Sequence, residues 1–183
     1  MNARQNTGSG NGFDVIVAGA GYVGLAIAVA IGQARPNLRI AVVDAAPEGA
    51  WRRDGRASAI AAAAVRMLDR LGCWQEIAPG AQAITDMVVT DSRTADPVRP
   101  VFLTFDGEVA PGEAFAHMVF NRDLNAALRR RAGEFGIDLI EGVGVTGFDT
   151  GAQDATVHLA DGASLTTRLL VAADGVRSRL RDM

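Results

Sequence analysis

The chain is poor in the side chains that build metal and redox centres. Its 183 residues hold one cysteine, Cys73, and two histidines, His117 and His158. One cysteine excludes an internal disulfide and any cysteine-based zinc site, and two histidines leave little for a histidine-rich one. Cys73 lies in the apolar stretch Leu71-Gly72-Cys73-Trp74 and reads as a small buried hydrophobe. Basic excess is also missing. Eighteen Lys+Arg against 21 Asp+Glu give a formal charge of −3, which excludes the electrostatic footprint of a nucleic-acid binder. The two densest basic runs, Arg129-Arg130-Arg131 and Arg177 to Arg181, are interrupted or flanked by other residues and read as solvated helix faces.

Only one segment, Val15 to Gly32, runs for 18 residues without a charge. Gly19, Gly21, Gly24 and Gly32 interrupt it. It reads as a buried strand, a glycine turn and a buried helix rather than a membrane span. Met1 to Gly12 is polar, lacks the pattern of a secretory leader, and reads as a disordered tail. A cytoplasmic protein is expected.

What is present is α/β patterning. Phe13–Ala18 and Leu38–Val43 are near-continuous apolar runs without alternation, as in a parallel sheet covered on both faces. The helix Tyr22–Ala34 joins them into a βαβ unit. Helical spacing predicts a helix over Ala57–Leu71. Strands are expected at Ile84–Thr90 and Val98–Phe105, and a long helix at Asn121–Phe135, with Asn121 as its N-cap and Gly136 as its stop. Short strands follow at Ile137–Ile140, Val143–Phe148, Ala155–Leu159, Ser164–Thr167 and Leu169–Ala173, with Asp161-Gly162 as a hairpin turn.

Gly19-Ala20-Gly21-Tyr22-Val23-Gly24 fits G-x-G-x-x-G after a strand and at the head of a helix. Gly19 permits the tight turn, Gly21 a close backbone approach to a pyrophosphate, and Gly24 close helix–strand packing. Asp44, twenty residues beyond Gly24, ends the second strand, where a carboxylate accepts from ribose hydroxyls. Aspartate there points to FAD or NAD rather than NADP. Arg52, Arg53 and Arg56 are either phosphate partners or a solvated loop cluster. Asn121 is explained by capping alone. Asp174-Gly175 is either a plain strand end or a ligand edge, since ligands of open α/β sheets bind at the carboxyl ends of strands.

Taken together, these residues resemble the N-terminal part of class A flavoprotein monooxygenases of the para-hydroxybenzoate hydroxylase fold, most of all the ubiquinone-biosynthesis hydroxylases. The resemblance covers nearly all of residues 13–181. It runs through the glycine motif, Asp54-Gly55-Arg56-Ala57-Ser58-Ala59-Ile60, Phe115-Ala116-His117-Met118-Val119 into Asn121-Arg122-Asp123-Leu124, and Val171-Ala172-Ala173-Asp174-Gly175-Val176-Arg177-Ser178. It implies an α/β Rossmann-type FAD-binding domain with a parallel sheet, in which 81–118 is a partial substrate-domain insertion.

In residue terms, it implies that Gly19, Gly21 and Gly24 hold the FAD pyrophosphate and Asp44 its ribose. Arg56 would lie near the flavin phosphates, Asn121 would be a polar FAD contact, and Asp174 would serve FAD and NAD(P)H. The implied reaction is NAD(P)H-dependent hydroxylation of a phenol or polyprenyl phenol through a flavin hydroperoxide. No side chain stands out as catalytic acid or base, and no metal is implied. Phe120 departs from the polar or acidic residue common in relatives at its position.

These enzymes run to about twice this length, with a second Gly-Asp flavin motif that is not present here. An inactive fragment is therefore expected, with peripheral membrane, biosynthetic-complex or self-association open to it. Two other readings stand beside this one: an NAD-dependent dehydrogenase, which leaves Asp174-Gly175 unexplained, and a non-catalytic cofactor-binding or assembly subunit.

Overall fold

The structure, a computed structural model, describes residues 12–93, 95–106 and 108–183. In chain order its elements are β1 (Gly12–Ala18), α1 (Tyr22–Ala34), β2 (Ile40–Asp44), β3 (Ala57–Ala61), α2 (Ala62–Arg70), α3 (Trp74–Ile77), β4 (Gln82–Ile84), β5 (Asp86–Thr90) and β6 (Val101–Asp106). Then come β7 (Glu108–Ala110), β8 (Glu113–Ala114), β9 (Ala116–Phe120), α4 (Asn121–Glu134), β10 (Asp138–Glu141), β11 (Val145–Thr150), β12 (Ala155–Leu159) and β13 (Ser164–Ala172). They divide into two compact units: the segment up to Ala50 together with Leu128–Met183, and Trp51–Ala127.

The first unit is built on a six-stranded sheet in the order β10-β2-β1-β13-β12-β11. The four strands from β10 to β13 pair in parallel, and β12 and β11 add an antiparallel edge. Ile16, Val17, Ala41 and Val42 are fully buried, which explains why these strands carry no polar alternation. On one face Ile16, Ala41, Val43, Val157 and Leu159 form a core against Phe13, Ile140 and Leu170. Helix α1 buries Gly24, Leu25, Ala28 and Val29. The uncharged run Val15–Gly32 is thus a strand, a turn and a helix. Among the described residues no helix is long and apolar enough to cross a membrane.

In the second unit β3, β9 and β4 form an antiparallel sheet, and β5–β6 and β7–β8 are two-stranded ribbons. His117 pairs across β9 with Ile60 and Ala83 and meets Trp74 edge-on, with ring centroids 5.2 Å apart. Cys73 is fully buried.

Several expectations are corrected. The helix foreseen over Ala57–Leu71 begins only at Ala62. Residues Ala57–Ala61 instead pair with β9, from Ala57 opposite Phe120 to Ala61 opposite Ala116, and this pairing overrides alanine's helix preference. Ser164–Thr167 and Leu169–Ala173 are one strand, continuous through the exposed Arg168. After Asp174-Gly175 only a short 3₁₀ turn forms, at Leu180–Asp182. Arg129 is no solvated residue: its side chain is 11% exposed and pairs with Glu141 at 3.0 Å. Of the tail foreseen at 1–12, Gly12 opens β1 opposite Thr166, and 1–11 lie outside the described residues.

Candidate functional site

The glycine turn follows β1 directly. Gly19 has φ of 108°, the left-handed side of conformational space that favours glycine. A Cβ on Gly19 would also stand 2.3 Å from the carbonyl oxygen of Ala173, and one on Gly24 would stand 2.0 Å from the carbonyl oxygen of Gly19. Two of the three motif glycines are therefore demanded by the chain's own packing. Gly21 is different. Its φ is −68°, which any residue adopts, and a Cβ there meets nothing within 4 Å. Packing gives no reason for glycine at Gly21; its place as the N-cap of α1 favours glycine over alanine modestly, and a ligand laid against the backbone would demand it.

Two further features suit a nucleotide, one its phosphates and the other its ribose. Helix α1 has no side-chain cap and no acidic residue in its first turn, so no side chain of the helix itself offsets its positive dipole end. Asp44 closes β2 beside the turn. Its Oδ2 accepts from Ala20 N at 2.5 Å and its Oδ1 from Ala46 N at 2.7 Å. Each oxygen has a second lone pair, as a ribose hydroxyl requires.

Asp174 follows β13, the strand beside β1. Burial pushes its carboxyl pKa up, but hydrogen bonds outweigh this: from the Ser178 hydroxyl and from the backbone N–H groups of Asp174, Arg179 and Leu180. The net shift is downward. Arg179 N donates to Asp174 Oδ2 at 3.1 Å.

A cleft of about 460 Å³ opens at the carboxyl ends of β1, β2 and β13, lined among others by Gly19, Asp44, Gly144, Thr146, Asp174, Arg177 and Arg179. Sheets of this kind bind ligands at that edge. Arg177 and Arg179, expected on a solvated helix face, border the cleft instead. Gly144 and Thr146 had no signal in the sequence beyond their place at the start of a strand. Gly21 and Gly24 do not line the cleft.

Arg56 and Asn121 meet in the second unit. Arg56 donates from Nε to Asp54 Oδ1 at 2.9 Å and from NH2 to Oδ2 at 2.8 Å. Asn121 is buried and does not cap α4 as expected. It lies within the helix, its Oδ1 accepts from Ser58 Oγ at 2.7 Å, and its Nδ2 reaches Asp54 Oδ2 at 3.4 Å. The Arg56 side chain, then its backbone N–H and Asn121, hold the Asp54 carboxyl well below the usual carboxylate range, against the opposing effect of burial. Arg52 lies 4.9 Å from the Trp51 ring centroid. Phe120, the departure from the family pattern, carries the Arg122 guanidinium 4.3 Å from its ring centroid. Among the described residues no cluster of three or more histidine, cysteine, aspartate or glutamate side chains is arranged to hold a metal.

Residues 12–183 match the family described as FAD binding domain. The chain belongs to this family. FAD is the family's cofactor, and the open face of Gly21 and the uncapped end of α1 fit it. The ubiquinone hydroxylase UbiL of Rhodospirillum rubrum is 34% identical over 173 residues, a span of 92% of this chain and 38% of the relative. UbiM of Neisseria meningitidis, also a ubiquinone hydroxylase, is 26% identical over 174 residues, covering 92% and 37%. The chain thus spans well under half the length of these relatives. Among solved structures, p-nitrophenol 4-monooxygenase PnpA of Pseudomonas putida shares the fold with a TM-score of 0.75 at 21% identity, over 93% of this chain and 43% of that one. The probable FAD-dependent monooxygenase pqsL of Pseudomonas aeruginosa does so with a TM-score of 0.70 at 20% identity, over 93% and 44%. The family makes the chain an FAD-binding domain, and the chain shares its fold with these two solved structures.

Proposed function

We propose that the chain is the cofactor-binding part of an NAD(P)H-dependent aromatic-ring hydroxylase of the ubiquinone hydroxylase type. The observation that carries this is Gly21: it is the one motif glycine that the chain's own packing does not require, and it lies in the turn between β1 and an uncapped helix. When bound, FAD supplies the redox and oxygen-activating chemistry. The residues here hold it. Gly19, Gly21 and Gly24 shape the turn that receives the pyrophosphate, Asp44 accepts from the adenosine ribose, and Asp174 offers a carboxylate at the sheet edge. In the second unit, Arg56 supplies charge for the phosphates and Asn121 a polar contact.

On this reading 81–118 begins the substrate sheet. A phenol or polyprenyl phenol is the substrate, and the cytoplasm, where NAD(P)H is available, is the compartment. Val88, Val101 and Phe102 are exposed on the β5–β6 ribbon, which supports association of that ribbon with further apolar surface. On this reading the 183 residues bind FAD without hydroxylating on their own; they span 38% of the relative's length.

The test is NAD(P)H oxidation by the FAD-loaded chain with and without a polyprenyl phenol. No substrate-dependent oxidation is expected. Hydroxylated product from these residues alone would overturn the inactivity, and binding of NAD in preference to FAD would overturn the whole reading in favour of a dehydrogenase.

A further inference from the structure

Asp54 stands within hydrogen-bond distance of both Arg56 and Asn121. It lies in the loop before β3 and is assigned no role by the motif that surrounds it. Three things single it out. First, it grips Arg56 through both Nε and NH2 and also accepts Arg56 N at Oδ1, 3.1 Å. A paired fork fixes the plane of a guanidinium as well as its place. Second, the arginine side chain is 81% exposed and the aspartate side chain 20% exposed, so the sheltered partner holds the exposed one. Third, Ser58 Oγ donates to Asn121 Oδ1, which fixes the amide's orientation and turns Nδ2 toward Asp54. Asn121 N in turn donates to Arg56 O at 2.9 Å.

Ser58, Asn121, Asp54 and Arg56 form one chain of hydrogen bonds running from the buried head of α4 to an exposed guanidinium. A lone exposed ion pair would contribute little. This one is bidentate, anchored to backbone and tied to a buried amide.

We propose that Asp54 is a positioning residue for the FAD site, acting through Arg56 and Asn121. The inference rests on the reading that those two residues contact the cofactor. Asp54 needs no contact with FAD itself. It presets the guanidinium and the amide, so less side-chain freedom is lost when the ligand arrives.

The test is the dissociation constant for FAD, measured by equilibrium dialysis, together with the melting temperature. Asp54→Asn is expected to weaken binding about tenfold, since it removes a charged acceptor. Asp54→Glu is expected to restore most of the loss. The decisive arm is the triple variant: on an Arg56→Ala, Asn121→Ala background, Asp54→Asn should leave FAD affinity unchanged, which a structural role through other contacts would not do. If Arg56→Ala and Asn121→Ala each leave affinity unchanged, the cofactor reading of these residues fails and the proposal falls with it. If they weaken it while Asp54→Asn does nothing, or tightens binding by freeing Arg56 for phosphate, that reading stands and the positioning role is overturned. Should Asp54→Asn fail to fold, Asp54→Glu against Arg56→Lys separates the carboxylate's reach from the fork's geometry by the same measurement.

Discussion

Ala20 donates its backbone N–H to the carboxylate of Asp44, 24 residues further along the chain, at 2.5 Å. This bond ties the glycine turn to the end of β2, so the two features of the proposed cofactor edge form one structure. Asp44→Asn keeps one acceptor oxygen but turns an NH₂ toward the other donor, leaving either Ala20 N or Ala46 N without its partner. A loss of about 1–2 kcal/mol is expected, read from urea unfolding, together with weaker FAD binding.

The three motif glycines separate by experiment. Gly24→Ala sets a Cβ against the Gly19 carbonyl and Gly19→Ala sets one against Ala173. Both should lower the melting temperature markedly. Gly21→Ala meets open space and should cost only the N-cap preference of glycine over alanine, about 1 kcal/mol or less, while FAD affinity falls. A stable variant that has lost its ligand is the signature of a glycine kept for the ligand.

Acid should destabilise the fold through Asp54 and Asp174. Both have folded-state pKa values shifted down, so the unfolded chain binds protons at higher pH than the folded one. Their stabilising contribution is fully present above the unfolded value, about 3.9, and is lost as pH falls from there through the folded values. Urea midpoints should hold from pH 6 to about pH 4 and fall as pH is lowered further, and Asp54→Asn or Asp174→Asn should flatten the drop.

Arg129 and Glu141 tie α4 to β10 in the first unit, at 3.0 Å with both side chains mostly buried. Glu141→Gln leaves a sheltered guanidinium with a neutral partner. It should cost about 1–3 kcal/mol by chemical denaturation, whereas Glu134→Gln, on an exposed pair with Arg130, should cost under about 1 kcal/mol.

The contrast between those two glutamates marks how far the sequence could be read. The parallel core was legible because Val15–Ala18 and Ile40–Val43 are apolar without alternation, and the turn was legible because glycine spacing and a distant aspartate agree. Ala57–Ala61 was misread because alanine carries no period of its own; only pairing with β9, more than fifty residues on, makes it a strand. Asn121 was misread for a related reason. A helix-initial asparagine looks like a cap until a serine 63 residues away claims its side chain. Arg129 sits in a run of three like charges, and which of them turns inward depends on where Glu141 lies. Local chemistry wrote the cofactor turn into the sequence, while long-range pairing set the rest of the site.

The most direct test of the central claim, that these residues hold FAD through a turn whose middle glycine faces the ligand, is calorimetric titration of the chain and of its Gly21→Ala variant with FAD. Saturable one-to-one binding that ADP competes away, with affinity clearly weaker in a folded Gly21→Ala variant, is the result this account predicts. Absence of FAD binding by the folded chain, or equal affinity in the two proteins, would contradict it.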